Sequence, residues 1–284
     1  MWKKLFLNRI WNRIYIERLG EPLIYNLVSI FIFIFGSFVK KIDYDLVPRQ
    51  PYAFGLNEAF KIAKLEEKKK ILILEFGVAS GAGLYNLSYI SKKLSKIYKI
   101  DYEIIGFDTG KGMPPPIDYR DHPEKYRTAD FPSLKLNYKK LPQKTKVYLG
   151  NIVKTLKCLK NDLKKNVSIN FISIDVDYYS STLAALKVLN FNKNAYCSKT
   201  VMYFDDTSDV DHNEYCGELL AINEFNKKNK YRKIFKINML RNCRIFKNAS
   251  WLDQMFFMHS FDSDYRKPKN WKNKKKQIIT NPYI

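Results

Sequence analysis

The sequence predicts an α/β fold: a doubly wound, mostly parallel sheet with helices on both faces, preceded by a helical N-terminal segment. Three observations predict it. Largely apolar runs recur at residues 71–74, 102–107, 167–174 and 200–204, as expected of strands buried on both faces of a parallel sheet. Stretches with apolar residues at helical spacing lie between them, which supplies the crossovers that parallel strands need. Each run also stops at a carboxylate, Glu75, Asp108, Asp175 or Asp205. In an open α/β sheet, the ends of the strands line the ligand crevice.

The organising unit is residues 70–83, KILILEFGVASGAG. An aliphatic run ends at Glu75, three glycines follow (Gly77, Gly81, Gly83), and Leu84, Leu87, Ile90, Leu94 and Ile97 continue at helical spacing. Strand, glycine loop and helix open a nucleotide-binding βαβ unit. Glycines suit such a loop because no Cβ blocks the approach of a ligand to the backbone.

Upstream, residues 2–16 alternate basic and bulky apolar side chains, the pattern of a basic amphipathic helix. Residues 22–39 contain no charge and include IFIFIF, at the lower edge of membrane-spanning length. The run starts too late and lacks the small-residue site of a cleaved signal peptide. Three readings stand: a helix packed on the catalytic domain or on a dimer partner, an interfacial membrane helix, or a span. Residues 43–55 carry two prolines and read as a linker, and residues 56–68 as a helix leading into the first strand. Tyr52 and Phe54 either pack or line a pocket, packing being the simpler reading.

After the second strand, Asp108 stands 33 residues beyond Glu75. A carboxylate there can accept both hydroxyls of a ribose, although the spacing exceeds the usual ~20 residues. TGKGMPPP then makes a stiff turn, and residues 118–132 are polar and aromatic. They form either a surface loop or a lid over the site. A short third strand at 146–149 ends in Gly150-Asn151, which places Asn151 to contact a base edge.

The fourth run leads into Asp175-Val176-Asp177-Tyr178-Tyr179 and the fifth into Asp205-Asp206. Carboxylates brought together at one sheet edge repel unless a proton or a cation intervenes. Mg²⁺ takes a few carboxylates and keeps other positions for water or substrate. Asp175, Asp205 and Asp206 are the candidate ligands, and Asp177 is a candidate general base or further ligand. The competing reading is that these residues cap helices and pair with nearby lysines, Asp206 above all. His212 and His259 are weaker candidates for a base, since a lone loop histidine is usually exposed. Residues 213–226 read as a helix, and 234–239 with 243–246 as a closing hairpin.

As a set, LEFGVASGAG, IIGFDTGKGMP, ISIDVDYYSST and YFDDT resemble the class I S-adenosylmethionine-dependent methyltransferases. Within them, the set is most similar to the macrocin O-methyltransferase-like group of metal-dependent sugar O-methyltransferases. The resemblance covers roughly residues 50–250, with the motifs in the family's order. It implies a Rossmann-like seven-stranded sheet with an antiparallel last strand. It places Glu75, Gly77 and Gly81 at the cofactor's methionine part, Asp108 at its ribose, and Asp175, Asp205 and Asp206 on Mg²⁺ against the hydroxyls of a sugar or glycoconjugate acceptor. The chain departs from the pattern at Thr109-Gly110-Lys111 and at Gly150-Asn151, where Gly-Asp is common. The rival readings are an NAD-type oxidoreductase, which the lack of GxGxxG opposes, and a non-catalytic membrane- or nucleic-acid-binding protein with a nucleotide fold.

The formal net charge is +22. The excess is spread along the chain, which favours a lysine-rich surface over a nucleic-acid stripe. The four cysteines are far apart and show no metal spacing, so free thiols in a reducing, cytoplasmic setting are expected, with the inner face of a membrane as a further option. The resulting division is an N-terminal segment (1–52) able to contact a membrane surface, a methyltransferase domain (53–262) open to self-association, and a basic, solvated tail (263–284).

Overall fold

The computed structural model describes residues 11, 13–131, 141–163, 167–209 and 211–267. Seven strands form one sheet: β1 (Lys70–Phe76), β2 (Asp101–Asp108), β3 (Thr145–Leu149), β4 (Val167–Ile174), β5 (Tyr196–Phe204), β6 (Arg232–Lys236) and β7 (Met255–Ser260). Their order is β3-β2-β1-β4-β5-β7-β6. The first five are parallel, and β7 runs antiparallel to both neighbours. The expected Rossmann-like seven-stranded sheet with an antiparallel last strand is therefore the observed one.

In β1, residues 71–76 are all buried, as a strand covered on both faces must be. Ile71 and Ile73 belong to one core and Leu72, Leu74 and Phe76 to the other, the period of two that sends alternate side chains to opposite faces. Helices α3 (Gln50–Leu65) and α4 (Ala82–Tyr98) help build the first core, α5 (Ile152–Asp162), α6 (Tyr179–Leu186) and α7 (Gly217–Lys228) the second. The register pairs Phe76 with Phe107 and Ile174, and Ile174 with Phe204. Four strand ends therefore lie level, and whatever follows them shares one edge.

Three local expectations are corrected. Residues 50–55 are helical, because Pro51 sits in the first turn of α3, where a missing N–H costs nothing. Residues 243–246 do not pair as a strand. Residues 240–243 form a short helical turn, and β7 takes the place beside β6. The 213–226 helix starts later, at Gly217, and runs to Lys228.

The apolar stretch 22–39 divides into α1 (Leu23–Phe35) and α2 (Phe38–Asp43). Gly36 is extended, and the Ser37 side chain accepts from Lys40 N–H to cap the second piece. Among the described residues no helix is long and apolar enough to cross a membrane. Residues 13–19 form a π-type helical turn; the rest of the predicted amphipathic helix and the tail beyond Lys267 lie outside the described residues. All four cysteines are free.

Candidate active site

The glycine loop is shaped by contacts that a side chain would destroy. Gly77 has φ +86°, and a Cβ there would lie 1.8 Å from the carbonyl oxygen of Asp175. At Gly83 a Cβ would lie 1.8 Å from Oε1 of Glu75. The loop thus binds the β1 end to the β4 end on one side and to its own carboxylate on the other. Gly81 begins α4, also left-handed.

Glu75 is buried at 2 % exposure. Its Oε1 accepts a hydrogen bond from the Tyr52 hydroxyl at 2.7 Å, and its Oε2 has no partner. Burial, opposed by that hydrogen bond and by Arg49, pushes the carboxyl up to about 7. Asp108 stands at the β2 tip as expected. Its Oδ2 accepts from the backbone N–H of Val78 and Ala79, both at 2.9 Å, and its Oδ1 from Gly110 at 2.7 Å. It holds the loop, and Oδ1, with one donor, keeps a lone-pair direction for a further one.

Between these elements opens a cavity of about 570 Å³, within the size range of small-molecule sites. Glu75, Gly77, Asp108, Asn151, Asp175, Asp177 and Asp205 all line it, so most of the sequence-derived candidates converge. Asn151 also caps α5, accepting from Val153 N–H. The segment after Asp108 forms one wall through Thr109, Met113, Pro114 and Ile117, and of residues 118–132, read as a surface loop or a lid, Asp130 and Phe131 line the cavity.

The aspartates form a tight group. Asp175 lies 3.4 Å from Arg49 Nη2. Burial and then the charge of Asp205 raise its pKa well above the carboxylate range. Strand β4 ends at Ile174, and Asp177 adopts φ +56°, a strained conformation for a residue with a Cβ. This turns Asp177 out of strand alternation, so its position does not follow from a continued strand. Asp177 accepts hydrogen bonds from Tyr126 and from Asp206, and burial raises its pKa. Burial and then the charge of Asp177 push Asp206 up to about 8, so Asp206 carries the proton the two share. Its Oδ2 is buried without a partner, and its N–H donates to Glu218 at 3.1 Å. Asp205 is held by the Tyr203 hydroxyl.

The donor chemistry fits Mg²⁺: hard oxygens from two adjacent strand tips, mutually repelling, with one buried oxygen unpartnered. As the side chains stand, no group of three His, Cys, Asp or Glu among the described residues is arranged to hold an ion. Asp206 is turned onto Asp177, and Asp205 onto Tyr203.

His212 lies outside the cavity lining. It stacks on His122 with ring centroids 4.6 Å apart, and neither ring nitrogen has a partner. Burial and then His122 lower its pKa to about 4. A neighbouring hollow of about 660 Å³ is lined by His122, Lys125, Asn213 and Tyr215. His259 is on β7 opposite Lys199, within hydrogen-bond distance of Arg266, and does not line the cavity.

Sequence reasoning missed Arg49, Tyr126 and Glu218. Arg49 stacks over Tyr52 at 4.4 Å and is the one cation among the cavity's described lining residues. It lies in the stretch 43–55 whose prolines read as a linker, and nothing in its local sequence distinguishes it from a surface arginine.

No family model matches the sequence, and no curated protein matches it. Among solved structures, the chain is similar to the O-methyltransferase NovP at 12 % identity and TM-score 0.50, over 74 % of this chain and 80 % of that one. It is also similar to CalS11, a calicheamicin methyltransferase, at 16 % identity and TM-score 0.49, over 75 % and 81 %. At 12 % identity the likeness to NovP speaks to the fold, the one already traced in the sheet order.

Proposed function

We propose that this chain is an S-adenosylmethionine-dependent O-methyltransferase acting on a hydroxyl of a sugar or glycoconjugate, with Mg²⁺ as its metal. One observation carries the reading: the glycine-loop cavity is continuous with the strand tips that carry Asp175, Asp177 and Asp205. A nucleoside seat and a deprotonating centre therefore share one crevice. The charge pattern supports this cofactor, since its single carboxylate matches the single guanidinium of Arg49 and its cationic amino and sulfonium groups match the carboxylates around it.

Bound there, S-adenosylmethionine supplies an electrophilic methyl group, and Mg²⁺ lowers the pKa of a coordinated hydroxyl. Asp175, Asp205 and Asp206 would hold the metal. Glu75 and the loop at Gly77 and Gly81 would hold the methionine part, Asp108 the ribose and Asn151 the base edge. Asp177 would take the proton of the acceptor hydroxyl: burial raises its proton affinity, and the Tyr126 hydroxyl orients it by a hydrogen bond. The walls built by residues 109–117 exclude water and fix the approach of the acceptor. His212 lines neither hollow, and its lowered pKa makes it a weak base, so the proton goes to Asp177.

Calorimetric titration with S-adenosylmethionine and with NAD tests the reading. Binding of the first alone is expected, and binding of NAD alone would overturn it. Mass spectrometry of a panel of sugar acceptors incubated with enzyme, cofactor and Mg²⁺ then reads a gain of one methyl group.

A further inference from the structure

Helix α1 is fixed to the protein by polar contacts and leaves its apolar surface bare. The Arg18 guanidinium lies 3.9 Å from the Phe246 ring centroid and donates to the carbonyls of Tyr44 and Asp45. Asn26 Nδ2 donates to the Arg18 carbonyl at 2.8 Å. Glu21 is buried and accepts from the backbone N–H of Lys247 and Asn248. Against this anchorage, Leu23, Ile24, Leu27, Ile30, Phe31, Phe33, Ile34 and Phe35 are each 58–72 % exposed.

At 100° per residue, those eight side chains cover about 200° of the helix circumference. Asn26, tied to Arg18, is the polar residue within that arc. A helix that packs on one partner helix buries a stripe of roughly 100°, so a second copy of this chain would leave half of the arc in water. A bilayer surface covers the whole arc, because a helix lying in the headgroup boundary is immersed to about half its girth. Thirteen residues span about 20 Å, short of the ~30 Å hydrocarbon core, so the helix lies on the membrane and does not cross it. The preceding turn also bears exposed apolar side chains, Tyr15, Ile16 and Leu19, at 50–59 %.

Cations mark the edge of this surface. Lys41 Nζ sits 5.7 Å from the exposed Phe33 ring. Lys40 precedes it in sequence, exposed and 4.0 Å from Asp43, and the net charge of the chain is +22. Residues 22–39 carry no acidic group. We infer that α1 with the preceding turn is an interfacial anchor that seats the protein on an anionic bilayer surface.

The test is co-sedimentation of the full chain with phosphatidylcholine vesicles and with mixed phosphatidylcholine–phosphatidylglycerol vesicles, alongside light scattering without lipid. The expected result is a lipid-free monomer that binds the mixed vesicles more tightly. Phe31→Glu with Ile34→Glu should lower that binding by more than about tenfold with an unchanged melting temperature, since both side chains already face solvent. Lys40→Gln and Lys41→Gln should each lower binding to the anionic vesicles by about fivefold and leave binding to neutral ones unchanged. Absence of vesicle binding would overturn the inference. So would a lipid-free dimer that Phe31→Glu with Ile34→Glu dissociates, or hydrogen exchange showing residues 23–35 already shielded in the lipid-free monomer.

Discussion

Asp177 combines a left-handed backbone with hydrogen bonds from Tyr126 and from Asp206, the carboxylate that holds the shared proton. Replacing it with Asn keeps the shape and removes the base. Asp177→Asn should lower kcat by about 10²- to 10⁴-fold and leave the calorimetric affinity for S-adenosylmethionine unchanged. Arg49→Gln should act in the opposite sense, weakening cofactor binding by about ten- to a hundredfold, as expected for a lost charge-assisted bond. Glu75 carries a pH signature. Its folded pKa, about 7, lies above its unfolded value, so the native state holds the extra proton. The associated stability is fully present below about pH 4.5 and is lost as pH rises through 7. Thermal unfolding should show the wild type losing at most about 3 kcal/mol across that window. Glu75→Gln should flatten this slope.

At the scale of elements, the loop between β1 and α4 is the part least able to change. A Cβ at Gly83 meets Glu75, and one at Gly77 meets the Asp175 backbone. The obstacle at Gly77 is backbone, and the one at Gly83 is the carboxylate end of Glu75, buried and held by the Tyr52 hydroxyl. Gly83→Ala should push the Glu75 carboxylate off the Tyr52 hydroxyl and disturb the loop it supports. An unfolding free energy lowered by about 1–3 kcal/mol, together with loss of cofactor binding, is the expected outcome by denaturant titration and calorimetry. This part of the site was legible in the sequence, because a strand, glycines and a helix must follow one another locally. The pairing of Asp175 with Asp205 was legible for a related reason. Consecutive strands of an α/β sheet are usually neighbours, and β4 and β5 are. The linker reading of residues 43–55 failed because proline is compatible with both a linker and a helix start, and α3 packs its first turns into the core. The β6 partner was misassigned because residues 243–246 and 255–260 are both apolar, and local periodicity does not choose between them.

For the whole molecule, the N-terminal segment is joined to a distant part of the chain through buried charge. Arg244, 8 % exposed, binds Asp45 at 2.6 Å and the Ile42 carbonyl at 2.7 Å. Burial raises the Asp45 pKa even with this partner in place. Arg244→Met would strand a buried carboxylate. A loss of about 3–5 kcal/mol is expected, read as a lower melting temperature, with a smaller loss when Asp45→Asn is added. The same joint holds the segment from which α1 projects, so the exposed apolar helix belongs to the folded body.

The sequence by itself determined the fold class, the glycine loop and the aspartates at the strand tips, since each depends on residues adjacent in the chain or on strands that follow one another. Only the tertiary structure decided that Arg49 meets Asp175 from 126 residues away, that Tyr126 and Asp206 hold Asp177, and that α1 presents bare apolar surface. Those facts rest on contacts between segments far apart in sequence, and no local pattern of side chains encodes which distant partner, or none, a residue will find.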